Sequence, residues 1–181
     1  MNKLLIAAIA STLCAGSALA DPVTKTVTID KPNFEGSRTI VRDKEAGTLS
    51  LDGELTRKSD GATATRSYDR ARTDDGFTAS GSSTNHRGQT RSFNLDRSRN
   101  QTGATTTGTY TGRGGETFGL SGNRTRNDTG FTANQSVTNS AGERVYNRDR
   151  SVSRAGGQVT RSTNITRAEG FKGPRRARRT R

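Results

Sequence analysis

Glycines recur at positions 61, 76, 88, 103, 115, 130, 142 and 157, separated alternately by 15 and 12 residues. The repeating unit is therefore 27 residues, a long arm and a short arm, each opened by a glycine. The residues before these glycines are turn-formers: "KSDG", "TDDG", "NHRG", "NQTG", "NDTG", "NSAG". Asn and Asp tolerate the left-handed backbone region, and glycine enters it without steric cost, so each site predicts a chain reversal. A repeat of this length sets the fold before any single residue does.

Between reversals the chain alternates. The short arms place Thr78, Ser80, Ser82 and Thr84, then Thr105, Thr107, Thr109 and Thr111, then Thr132, Asn134, Ser136 and Thr138 at every second position. A fourth row, Thr160, Ser162, Asn164 and Thr166, follows after a one-residue slip at "AGGQ". Successive strand side chains point to opposite faces, so each arm presents hydroxyls and amides on one side. Phe77, Tyr110, Phe131, Val137, Val159 and Ile165 fall on the other. The long arms carry "DRAR" (69–72), "DRSR" (96–99), "NRTR" (123–126) and "DRSV" (149–152), with bulk and positive charge at the positions between small or acidic residues. Three earlier stretches, 25–30, 37–43 and 47–56, alternate in the same way.

The pattern predicts an all-β protein, an antiparallel β-meander of roughly ten strands built from 27-residue hairpin repeats, because short connections favour antiparallel neighbours. A β-solenoid is the alternative, since alternation alone does not separate the two. Composition supplies a third, a largely disordered chain when isolated. Only 24 Val, Ile, Leu, Phe and Tyr residues lie beyond residue 20, few for a core at this charge. Against disorder stand the repeat and the absence of proline between Pro32 and Pro174. A single layer this polar needs closure, self-association or a partner to stabilise it.

Residues 1–20 are of different material. Lys3, the apolar run "LLIAAIASTLCAG" and "ALA" before Asp21 form the pattern of an export signal cleaved after Ala20. The run is short for a membrane span, and no second one follows, so no transmembrane segment is expected after cleavage. The residues ahead of Cys14 are unlike a lipidation box. The expected organisation is a signal peptide (1–20), a degenerate N-terminal β segment (21–46), the hairpin array (47–171) and a basic disordered tail (172–181). The expected location is the bacterial periplasm or cell exterior. A membrane β-barrel is disfavoured, since both faces are too polar for a lipid-facing band.

Chemistry follows by elimination. His86 is the single histidine, set in the turn "NHRG", and no cysteine lies beyond Cys14. A Cys or His nucleophile–base pair and a His-rich metal cluster are therefore both unavailable. Asp60, Asp74 and Asp75 sit in turns, where Asp serves local hydrogen bonding. The expectation is no enzyme, no cofactor and no metal.

Arginine is the functional lead. Arg70, Arg72, Arg97, Arg99, Arg124, Arg126 and Arg150 form rows beside Tyr68, Phe93, Phe118 and Tyr146, and Arg175, Arg176, Arg178 and Arg179 load the tail. Guanidinium groups take phosphate, sulfate and carboxylate in bidentate fashion. The rows thus predict binding of an anionic polymer: extracellular DNA, lipopolysaccharide or acidic polysaccharide. A structural role competes, in which each Arg pairs with a cross-strand Asp or Glu. A self-assembling surface or matrix fibre is the alternative function.

Overall fold

The computed structural model describes residues 21–171, and the expected leader and basic tail lie outside that range. Eleven strands form one antiparallel sheet whose spatial order is the chain order. They are β1 (Val23–Lys31), β2 (Phe34–Asp43), β3 (Thr48–Arg57), β4 (Thr63–Arg72), β5 (Gly76–Thr84), β6 (Thr90–Arg99), β7 (Gly103–Thr111), β8 (Thr117–Asn127), β9 (Gly130–Thr138), β10 (Arg144–Ala155) and β11 (Gln158–Arg167). The meander is thus as expected and the solenoid is not. β1 and β2, read from sequence as part of a degenerate segment, are full members of the same ladder. Among the described residues there is no helix.

The periodic glycines divide into two kinds, which corrects their common reading as left-handed corners. Gly61, Gly88, Gly115 and Gly142 do have positive φ, between 68° and 83°, and lie in the β3–β4, β5–β6, β7–β8 and β9–β10 connections. Gly76, Gly103 and Gly130 do not; they are the first residues of β5, β7 and β9. There a Cβ would run into the backbone carbonyl of Arg97, Arg124 or Val152 on the next strand. The first set needs backbone freedom, and the second needs the missing side chain. Asn reinforces two of the reversals. Asn85 Oδ1 accepts from the N–H groups of Arg87 and Gln89 at 3.0 Å each, and Asn139 Oδ1 from those of Ala141 (3.1 Å) and Glu143 (2.9 Å). The one-residue slip in the sequence pattern coincides with a register shift between Arg144 and Tyr146 and with the tight Gly156–Gly157 turn.

Register sorts the side chains onto two unlike faces. Phe93 on β6 stands opposite Gly81 of β5 and Tyr110 of β7, and Tyr110 stands opposite Phe118 of β8. Extended through the ladder, this face collects every large apolar strand residue except Val41 and the bulged Val145. Rings and branched chains fill the gaps left by glycine: Phe93 lies over Gly81 and Leu95 over Gly108. Tyr68 and Phe93 meet at 6.2 Å, Tyr110 and Phe118 at 6.4 Å, and Phe171 turns back onto Phe118 (5.7 Å) and Tyr146 (6.5 Å). Such contacts stabilise by about 0.5–1.5 kcal/mol each beyond their area.

The opposite face is a lattice of hydroxyls and amides. Ser67 and Ser82 bond across β4–β5 at 2.8 Å, Ser98 and Thr105 across β6–β7 at 2.7 Å, and Thr111 and Thr117 across β7–β8 at 3.2 Å. Asn134 Nδ2 donates to Asp149 at 2.6 Å and to Asn147 at 3.0 Å. These cross-strand pairs are the unit by which a sheet holds register. The core is correspondingly thin: the buried apolar residues are Ala79 and Val152, 6% and 7% exposed. Both lie on the aromatic face. Among the described residues, no second layer covers that face beyond Phe171.

Candidate anion-binding face

Charge follows the same division. All strand carboxylates (Asp30, Glu35, Asp43, Asp52, Glu54, Asp69, Asp96 and Asp149) fall on the hydroxyl face. Every strand Lys and Arg falls on the aromatic face, Arg144 at the bulge excepted. The expectation that each Arg pairs with a cross-strand acid is therefore overturned. Alternation places arginines and acids in adjacent positions of one strand, as in "LDRSR", and adjacent strand residues point away from each other. The ion pairs among the described residues are instead Arg57–Asp60 (2.8 Å) and the contacts of Lys58 with Asp30 (2.6 Å) and Glu35 (3.8 Å). The hydrogen bond to Asp30, seconded by Glu35, holds the Lys58 ammonium above the ordinary lysine range. All lie at the turns, away from the Arg rows.

The arginines predicted as binding residues occupy the cationic face as follows. Arg70 and Arg72 are on β4, Arg97 and Arg99 on β6, Arg124 and Arg126 on β8, and Arg150 on β10. Arg175, Arg176, Arg178 and Arg179 lie outside the described residues. The register sets Arg99, Ala104, Arg124, Ala133 and Arg150 in one row across five strands. A neighbouring row runs Arg72, Phe77, Arg97, Thr106, Gly122, Gln135 and Arg148. Intervening strands contribute mainly small residues, so successive guanidinium stems in the first row stand about two strand spacings, roughly 10 Å, apart.

Arg97, Arg124, Arg148 and Arg150 line a cleft of about 470 Å³ together with Phe131, Gln135 and Tyr146, and no carboxylate borders it. Small residues lining it include Ala104, Thr106, Gly122 and Ala133. Aromatic rings hold the guanidinium groups against the sheet. Arg124 lies 4.1 Å and Arg150 5.4 Å from the Phe131 ring centre, and Arg70 lies 4.2 Å from that of Phe77. Each such contact contributes about 0.5–1 kcal/mol at an exposed site. The Nε atoms of Arg97, Arg124 and Arg148 are covered and have no hydrogen-bond partner. A covered donor without an acceptor costs about 1–3 kcal/mol. An oxyanion taken side-on by Nε and an Nη satisfies that donor once the guanidinium turns toward the cleft.

Two cations about 10 Å apart repel by about 0.4 kcal/mol in water and by about 1.7 kcal/mol at the effective dielectric of a protein surface, before screening by salt.

Arg148 and Gln135 line the cleft but were not among the residues expected from the sequence to bind anions. Alternation already placed Arg148 in "NRDR" on the face of Arg150; matching the "DRSV" motif alone passed over it. Gln135 carried no such signal, because its position is set by the β8–β9–β10 register. Asp60, Asp75 and His86 each have a partner within the fold. Asp60 pairs with Arg57 and accepts from the Ala62 N–H (3.1 Å), and His86 Nδ1 lies 2.9 Å from the Ala62 carbonyl oxygen. Among the described residues, no three His, Cys, Asp or Glu side chains gather where they could hold a metal.

No family model matches the chain, and no curated protein or solved structure matches it either.

Proposed function

We propose that this is a secreted, non-enzymatic β-repeat protein that binds anionic polymers along its cationic face. The segregation of charge supports this reading. A set of arginines whose role was internal neutralisation would stand beside carboxylates, and these stand on the far side of the sheet from them. Among the described residues the face left open carries both the rings and the guanidinium groups, which supports it too. The polymer classes that suit an exported protein are extracellular DNA, lipopolysaccharide and acidic polysaccharide. The basic segment 172–181 adds cations to the same task.

The test is retention on each of these polymers immobilised in turn. Binding through many Arg–anion contacts releases counterions, so affinity falls steeply and linearly on a log–log plot against salt. Retention that is indifferent to salt, or equal on a neutral polysaccharide, contradicts the proposal. The second reading, a self-assembling surface component, is favoured by one observation: among the described residues the sheet is open, with β1 and β11 unpaired at its edges.

A further inference from the structure

We infer that β11 is a self-recognition edge, and that two copies join through it about a twofold axis passing near Ser162. The inference is independent of what the cationic face binds. Among the described residues, large apolar side chains that stand exposed are confined to the two edge strands: Val23 (62%) and Val27 (44%) on β1, Val159 (50%) and Ile165 (45%) on β11. The two edges are defended differently. β1 is bracketed by Pro22 and Pro32 and carries Lys25 and Lys31, devices that discourage strand addition. β11 contains no proline, lysine or carboxylate, and every residue of it is exposed.

The free hydrogen-bonding groups of β11 can be assigned. The two-residue Gly156–Gly157 turn makes Ala155 and Gln158 a hydrogen-bonded pair, and the Ala168 N–H donates to the Val145 carbonyl (2.9 Å). Alternation then directs the even-numbered amides of β11 toward β10, and leaves those of Val159, Arg161, Thr163, Ile165 and Arg167 on the open edge.

Parity selects the geometry. In a meander, β1 and β11 are both odd and run in the same direction, so closure or head-to-tail growth would require a parallel pair. A twofold axis perpendicular to the sheet pairs β11 with its own copy antiparallel and keeps both cationic faces on one side. With the axis at Ser162, Val159 stands opposite the partner's Ile165, and Arg161 opposite the partner's Thr163. An axis at Thr163 would set Val159 against the partner's Arg167, and an axis at Arg161 would oppose two like charges. A half-residue shift would turn one cationic face over. Of these axes, only the one at Ser162 sets Val159 and Ile165 opposite each other with no arginine directly facing an arginine or an apolar side chain.

The register is tested with single cysteines in a full-length Cys14→Ser chain. At the axis, Ser162 and its mate form a non-hydrogen-bonded pair with Cα atoms about 4.5 Å apart, within disulfide reach. Asn164, on the same face, is about 14 Å from its mate. Under mild oxidation Ser162→Cys converts to a covalent dimer and Asn164→Cys remains monomeric. Sedimentation of the unsubstituted chain shows a concentration-dependent species of twice the chain mass. Thr163→Pro, which removes an outward amide and no β10–β11 bond, loses that species while its far-ultraviolet dichroism is retained. A monomer at every concentration, equal cross-linking at both positions, or growth into fibres overturns the inference. Should Thr163→Pro fail to fold, the cross-linking comparison decides alone.

Discussion

Replacing Arg97, Arg124, Arg148 and Arg150 together with glutamine lowers affinity for an anionic polymer at least about a hundredfold while leaving the sheet folded. Charge-assisted hydrogen bonds are individually worth about 1.5–3 kcal/mol, but neighbouring contacts to one polymer are not additive. A total near 3 kcal/mol is therefore a conservative expectation, and it corresponds to a little over a hundredfold. The slope of log affinity against log salt falls by about one for each contact removed. Stability changes little, because the substitution loses the ring contacts of Phe131 but also removes the unpartnered Nε donors of Arg97, Arg124 and Arg148. The control is Arg87→Gln with Arg113→Gln, which lowers net charge in turns outside the cleft. The control removes two charges against four, so a control loss half as large on a logarithmic scale would show that affinity follows bulk charge rather than the cationic face.

The largest effect on folding is expected at glycines that lack any unusual φ. Gly130→Ala directs a methyl group into the Val152 carbonyl, and Gly103→Ala and Gly76→Ala do the same at Arg124 and Arg97. Overpacking of this kind costs about 1–3 kcal/mol, and the higher end applies where the obstacle is backbone. Combined, the three substitutions exceed what so thin a core supplies, and the chain loses cooperative unfolding in denaturant titration. Gly88→Ala has open space around its Cβ and pays only the left-handed backbone penalty, about 1–2 kcal/mol. Were Gly88→Ala the more damaging, the close approach of β5, β7 and β9 to their neighbours would not be what those glycines serve.

Much of this was legible in the sequence because a strand's period of two is unforgiving. The Thr105–Thr107–Thr109–Thr111 row and its Tyr110 counter-face follow from alternation, and the reversals follow from turn chemistry at "NHRG" and "NSAG". Other features depend on which residue faces which across strands. Nothing local distinguishes Gly88, which needs a left-handed backbone, from Gly103, which needs room beside Arg124. Gly81 and Gly108 are readable only once Phe93 and Leu95 are placed across from them. The expected Arg–acid pairing failed for the same reason. "LDRSR" puts opposite charges side by side along the chain, while the ladder sends Asp96 and Arg97 to opposite faces and repeats that choice at Asp69 and Arg70, and at Asp149 and Arg150. The sequence contains the segregation, but only register shows that it is continuous across the sheet.

The most direct measurement is a methyl-resolved NMR titration of the chain with a sulfated dextran oligomer. Neighbouring methyl groups report opposite faces: Ala104, Thr106 and Ala133 on the cationic side, and Thr105, Thr107 and Thr132 on the hydroxyl side. Saturable shifts at Ala104, Thr106 and Ala133, with Thr105, Thr107 and Thr132 unmoved, are the predicted result. Comparable shifts on both faces, or shifts confined to the hydroxyl side, would contradict it.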